Sequence, residues 1–457
     1  MARGKRRAHP EKARVAADPA GPPAGTKLLA AAIFLQNFAI GAWVVTLGSY
    51  LKAHAAPHGQ QLFAAGFVGT AYATSALGAM LAPLATGILV DRGLRAHRVT
   101  ACLSLVSAAI LWVTADASSQ TAFHAGLLAF FVCYMPTVSL LIAMILQRLP
   151  DPDRQYPRIR AWGTVGWVAA GIVVGVGGPL VTGSSIELSS APLKIGAAAL
   201  GILACVCWAV PAVAARQPTQ PVFRWRNVGR LATQQGIWQL LAIGVLVSIA
   251  PQFYNNYGNV YFNALQIPYA AAKLTLGQVA EVIGILLMPA ILARFHPKGV
   301  ILAGLATWAL RFALLSGVDG PRESWAVFLA VLLQGVAFPL AFIPLQLEMH
   351  RRAADEFRAT AQGLLLIASS GVGTLIGARL AGFADVRWLG DQLLGGGQAL
   401  GEGWSPFWRL PAVGSCLSLV AVAFLWQRSE QEKTVKSVES EKSAGIALRR
   451  GYTQQCP

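Results

Sequence analysis

The stretch R-Q-P-T-Q-P-V-F-R-W-R-N-V-G-R-L-A-T-Q-Q-G, residues 216–236, is the longest polar connection between the apolar runs of this chain, and it divides them six and six. It carries Pro218 and Pro221 together with Arg216, Arg224, Arg226 and Arg230. Before it, runs long enough to cross a bilayer as a helix lie at 28–51, 61–90, 97–115, 122–147, 159–182 and 191–215. After it they lie at 237–264, 270–293, 299–317, 325–347, 358–384 and 404–427. The reading is an all-α membrane protein of twelve transmembrane helices: a basic tail 1–27, a six-helix half 28–215, the linker 216–236, a second six-helix half 237–427 and a tail 428–457.

Composition agrees. Of 457 residues, 55% are hydrophobic and 12% charged, and a mean hydropathy of +0.53 is far outside the range of soluble domains. Lys and Arg crowd the N-terminal tail and every second loop, as in Arg95, Arg98, Arg148, Arg154, Arg158, Arg351, Arg352 and Arg358, and they are sparse in the loops between. The positive-inside rule therefore places both termini, the linker and both tails in the cytoplasm. The net charge of +17 follows from that topology and calls for no nucleic acid. The first apolar run is too long for a cleaved signal peptide. Cys102, Cys133, Cys205, Cys207 and Cys416 fall in spans, and the spacing of Cys205 and Cys207 points them to different helix faces, so neither a metal site nor a disulfide is expected.

Chemistry is concentrated in a few mid-span positions. Glu281 is the one carboxylate near the middle of a long apolar run, and an acid at that depth normally faces a bundle interior or a wet cavity. Gln278 precedes it by one turn. Gln252 and Asn255 share a face of the seventh span, and Arg160, Thr164 and Trp167 share a face of the fifth. Amides offer both donors and acceptors, which a polar solute needs where bulk water is absent. Other readings of the same residues are interhelical hydrogen bonding for the amides, snorkelling for Arg160 and a partnered structural acid for Glu281. The glycines of G-V-G-T-L-I-G at 371–377 follow no strand and read as close helix packing rather than a dinucleotide loop. The histidines lie in tails, loops or span ends, and the chain shows neither a nucleophile with its base nor a metal cluster, so an enzyme is not expected, nor any cofactor.

Two six-helix halves joined by a cytoplasmic linker resemble the major facilitator superfamily. The segment G-I-L-V-D-R-G-L-R-A-H-R at 87–98 resembles its cytoplasmic loop motif, which implies that Gly87 permits close helix approach while Asp91 and Arg92 make charge contacts near helix ends. Within that superfamily, R-A-W-G-T-V-G-W at 160–167, Y-M-P-T at 134–137, L-Q-N-F-A-I-G-A-W-V-V-T-L-G-S-Y at 35–50, L-R-F-A-L at 310–314, G-Q-V-A-E at 277–281 and R-A-T-A-Q-G at 358–363 resemble the nucleoside:proton symporter family.

The resemblance implies a nucleoside pocket made of Arg160, Thr164, Trp167, Gln252, Asn255, Gln278, Glu281 and Phe338, with Glu281 as the proton-coupling group. It further implies a monomeric importer in a bacterial cytoplasmic membrane, surrounded by lipid, that moves a nucleoside with protons by alternating access. Two positions depart from the family pattern: Pro339 stands where an aspartate usually follows the span-ten aromatic, and Gln334 where an aromatic or histidine is common. Facilitated or ion-coupled transport of another polar solute, a sugar or a nucleobase-like metabolite, and substrate sensing on a transporter fold stay open as alternatives.

Overall fold

The computed structural model describes residues 25–54, 62–91, 95–149, 152–211, 225–232, 236–318, 325–354, 357–390 and 403–426. Among the described residues, eleven helices are long and apolar enough to cross a membrane: Thr26–Ala53 (α1), Ala96–Ala115 (α3), Gln120–Arg148 (α4), Arg158–Thr182 (α5), Ala191–Ala209 (α6), Ile237–Ala264 (α7), Ala270–Arg294 (α8), Pro297–Ser316 (α9), Trp325–Arg352 (α10), Thr360–Leu389 (α11) and Trp404–Trp426 (α12). The twelfth, α2, runs from Phe67 to Asp91. A short helix, Trp225–Ala232, lies in the linker. Gly87 and Asp91 fall in the last turns of α2, and the side-chain contacts expected of Gly87, Asp91 and Arg92 lie outside the described residues.

The two halves repeat one packing scheme. In the first, α1 packs on α5 and α6, α2 on α4, and α3 on α4 and α6. Six spans later the matching pairs recur as α7 with α11, α8 with α10, and α9 with α10. Such internal repetition is what lets one half rock against the other around a shared site. Large apolar side chains such as Val113, Leu180, Val181, Leu286, Phe383, Leu417 and Phe424 are exposed on the outside of the bundle, where lipid tails rather than water would meet them.

Several spans are interrupted where they face the other half. In α1 the regular helix stops at Val44 and resumes at Leu47. In α7 it breaks before Pro251, whose ring nitrogen has no N–H to continue the ladder. Wider π-helical turns occur in α5 at Val173–Gly177 and in α11 at Ile367–Gly373, a feature that often accompanies functional sites.

Among the described residues, contacts between the halves gather at the end of the bundle away from the N-terminus. There α1 meets α7, α2 meets α11, and α5 meets the start of α8. Backbones come so close that a methyl group on Gly48 would sit 2.4 Å from the carbonyl oxygen of Asn256, and one on Gly69 2.3 Å from that of Ala378. Only glycine allows that approach.

Candidate solute site

A cavity of about 260 Å³ lies between the halves. Its wall includes Trp167 from α5, Gln252 and Asn255 from α7, and Gln278 from α8, so four of the eight residues singled out in the sequence meet on one surface. Tyr72 and Ser75 of α2, and Tyr254, Asn256 and Asn259 of α7, complete much of its polar and aromatic lining. Three aromatic rings and several amides suit a solute that joins a flat ring to hydroxyl groups.

Trp167 owes its place to Gly41 of α1, since a methyl group there would stand 3.2 Å from the indole. Gln252 has a double role. Its Nε2 donates to the carbonyl oxygen of Ser248 and to Oγ1 of Thr374 on α11, each at 3.3 Å, so it joins two helices as well as lining the cavity. Asn255 is exposed on the wall.

The other four residues lie beyond that lining. Helices α5 and α8 run in opposite directions, so Arg160 and Thr164, which precede Trp167, and Glu281, which follows Gln278, all continue toward the N-terminal end of the bundle. Arg160 is exposed, Thr164 and Glu281 are half-buried. Arg160 on the first half and Glu281 on the second lie within electrostatic reach of each other. Phe338 is 36% exposed and packs on Phe342, with ring centroids 4.5 Å apart, and Phe342 in turn meets Trp308 edge-on.

The two departures on α10 both serve packing inside the second half. Pro339 is buried, and a methyl group on Gly284 of α8 would come within 2.8 Å of its ring. Gln334 accepts from Nη1 of Arg311, and from Nε1 of Trp308 at 3.3 Å. Arg311 is fully buried; its Nε donates to the carbonyl oxygen of Ala330 at 2.6 Å and its guanidinium stacks 3.6 Å above the ring of Tyr254. A guanidinium in this setting is held by a neutral acceptor array and a π face.

At the end away from the N-terminus the halves are joined by polar contacts that sequence reading missed. Lys52 on α1 pairs with Asp385 on α11 at 2.6 Å, with 7% and 0% of the side chains exposed. Asp385 Oδ2 also accepts from Tyr257 Oη and from the backbone N–H of Gly66, each at 3.1 Å, and Lys52 donates to the carbonyl oxygen of Gly390 at 2.7 Å. The one sequence cue was Lys52, a cation at the start of a loop otherwise bare of Lys and Arg.

Against known proteins, a family model described as "Nucleoside H+ symporter" matches residues 25–431. The chain belongs to the nucleoside H+ symporter family. It is 29% identical over 433 residues to the putative nucleoside transporter YegT of Escherichia coli (strain K12), covering 93% of this chain and 99% of that one. With the nucleoside permease NupG of the same organism it shares 27% identity over 368 residues, covering 76% of this chain and 85% of the relative. The crystal structure of nucleoside transporter NupG superimposes with a TM-score of 0.73 at 25% identity, covering 88% of this chain and 99% of that one. That of the POT family transporter PepTSo does so with a TM-score of 0.68 at 12% identity, covering 90% and 99%, which is a likeness of fold alone. The fold is that of the major facilitator superfamily, and the protein is a multi-pass inner-membrane transporter rather than an enzyme.

Proposed function

We propose that this chain imports nucleosides together with protons by alternating access, and that the conformation described here is closed toward the outside and open toward the cytoplasm. The single observation that carries the reading is the arrangement of the cavity. Trp167 and the amides of Gln252, Asn255 and Gln278 line a space between the halves, and Arg160 and Glu281, further toward the N-terminal end, lie within electrostatic reach of each other. The aromatic wall takes the base, the amides match the base edge and ribose hydroxyls, and Glu281 carries the proton. The Lys and Arg asymmetry of the loops supports cytoplasmic termini, so the end remote from the N-terminus, where the halves meet, is taken as the outer face. Each half supplies part of the site, so one chain suffices, and the protein works as a monomer in lipid.

The test is uptake of radiolabelled uridine by proteoliposomes under an acid-outside gradient. Accumulation above equilibrium, abolished by a protonophore and by excess unlabelled nucleoside but not by sugars, supports the reading. Equilibration without accumulation would assign a uniporter, and competition by sugars a different solute.

A further inference from the structure

Glu187 lies in the loop between α5 and α6 and is 1% exposed, although it belongs to no span. Its carboxylate is matched by donors from the opposite half. Asn259 Nδ2 donates to Oε2 at 2.8 Å, Asn263 Nδ2 to the same oxygen at 3.3 Å, and the backbone N–H of Ala271 to Oε1 at 2.9 Å. Asn259 and Asn263 sit on α7 and Ala271 opens α8. From the first half, Ser49 Oγ donates to Asn259 Oδ1 at 2.5 Å and accepts from Asn263 Nδ2 at 3.2 Å. These donors to Glu187 are neutral. Hydrogen bonds to an ionised carboxylate are roughly twice as strong as neutral ones, and a buried carboxylate stripped of its donors is costly. Moving the halves apart at this end removes these three donors at once and leaves hydration as their replacement.

Asn259 is also part of the cavity wall. One side chain therefore belongs both to the solute compartment and to the contact that seals it. The set is separate from the Lys52–Asp385 pair, which joins α1 to α11.

We propose that Glu187 is the positioning residue that latches the outer face shut, by holding Asn259, Asn263 and the first turn of α8 against the first half whenever the site faces inward. The proposal rests on the inward-facing reading above for its direction. Glu187 does not touch the solute. It sets how often the outer face is open, and so governs turnover rather than affinity. The requirement is specific to a carboxylate: Glu187→Gln turns one acceptor oxygen into a donor that would face either the two asparagine amides or the Ala271 N–H.

The test places one cysteine on the cavity wall, Ser75→Cys, in a chain whose native cysteines are replaced by serine, and measures its labelling by a charged, membrane-impermeant maleimide in right-side-out and inside-out vesicles. With Glu187 present, labelling is fast from the cytoplasmic side and slow from outside. Glu187→Ala raises the outside rate by about tenfold or more, the value expected for losing charge-assisted hydrogen bonds, and Glu187→Gln raises it less. Asn259→Asp, which sets a second carboxylate against the first, shifts labelling the same way and serves if the alanine variant does not fold. Equilibrium uridine binding by Glu187→Ala stays within about twofold of the parent while maximal uptake falls, a split that a general packing defect would not give. Unchanged outside labelling in folded Glu187→Ala and Asn259→Asp protein overturns the latch. Slow cytoplasmic and fast outside labelling of the parent would instead overturn the assigned direction, and absence of uridine uptake the assigned solute, with the labelling comparison still readable in both cases.

Discussion

Lys52 Nζ stands 2.6 Å from Asp385 Oδ1, a buried ion pair that joins the first half of the protein to the second. Removing one member leaves the other charge buried and uncompensated, at a cost of roughly 3–5 kcal/mol. Asp385→Ala is therefore expected to lower thermal stability in detergent markedly, and Lys52→Met combined with Asp385→Leu to recover most of it. Thermal unfolding of the three variants checks this. Equal losses for the single and double variants would show that the pair contributes nothing as a pair.

Gln252 and Asn255 differ in what they hold, and their alanine variants should differ accordingly. Asn255 is exposed on the cavity wall, so Asn255→Ala leaves solute groups unpaired and weakens uridine binding by about 1–3 kcal/mol without loss of stability. Gln252→Ala weakens binding too, and also removes the bond to Thr374, for a further ~1 kcal/mol of stability. Equilibrium binding and thermal unfolding, measured side by side, separate the two effects. If both variants bind uridine and other nucleosides as the parent does, these amides hold helices together and the solute lies elsewhere.

The legible part of the fold was whatever a 20-residue apolar run can specify. Twelve spans could be read because each needs that length, and the residues Trp167, Gln252, Asn255 and Gln278 because amides and an indole stand out in apolar surroundings. One boundary moved for a clear reason: the eleventh span was read as ending at 384, whereas α11 continues to Leu389. Asp385 looked like a loop residue, but Lys52 neutralises it across the halves. Glu187 was hidden in the same way, since nothing periodic in a sequence says which distant donors a loop carboxylate will meet. The cavity lining from Tyr72, Asn256 and Asn259 was missed because it depends on how α2 and α7 rotate against each other.

Gln334 gives a prediction specific to this chain. It accepts from both Arg311 and Trp308, so Gln334→Leu strips a buried guanidinium of an acceptor and should cost about 2–3 kcal/mol, as for a hydrogen bond to a charged group. Uridine affinity should change far less than stability, since Gln334 is absent from the cavity wall. A variant with parental stability and altered nucleoside selectivity would place Gln334 in contact with solute.

The central claim is that Glu281 carries the coupled proton, with Pro339 in the place of the aspartate common in the family and Arg160 of the other half within electrostatic reach of Glu281. Glu281→Gln keeps the shape and hydrogen-bonding capacity of the side chain but cannot gain and lose a proton. The decisive measurement is uridine accumulation by Glu281→Gln proteoliposomes under an acid-outside gradient, alongside uridine exchange at equal pH. The account predicts that accumulation is abolished while exchange or binding is partly kept. Gradient-driven accumulation at the parent's rate would contradict it, and would move coupling to another group or another ion.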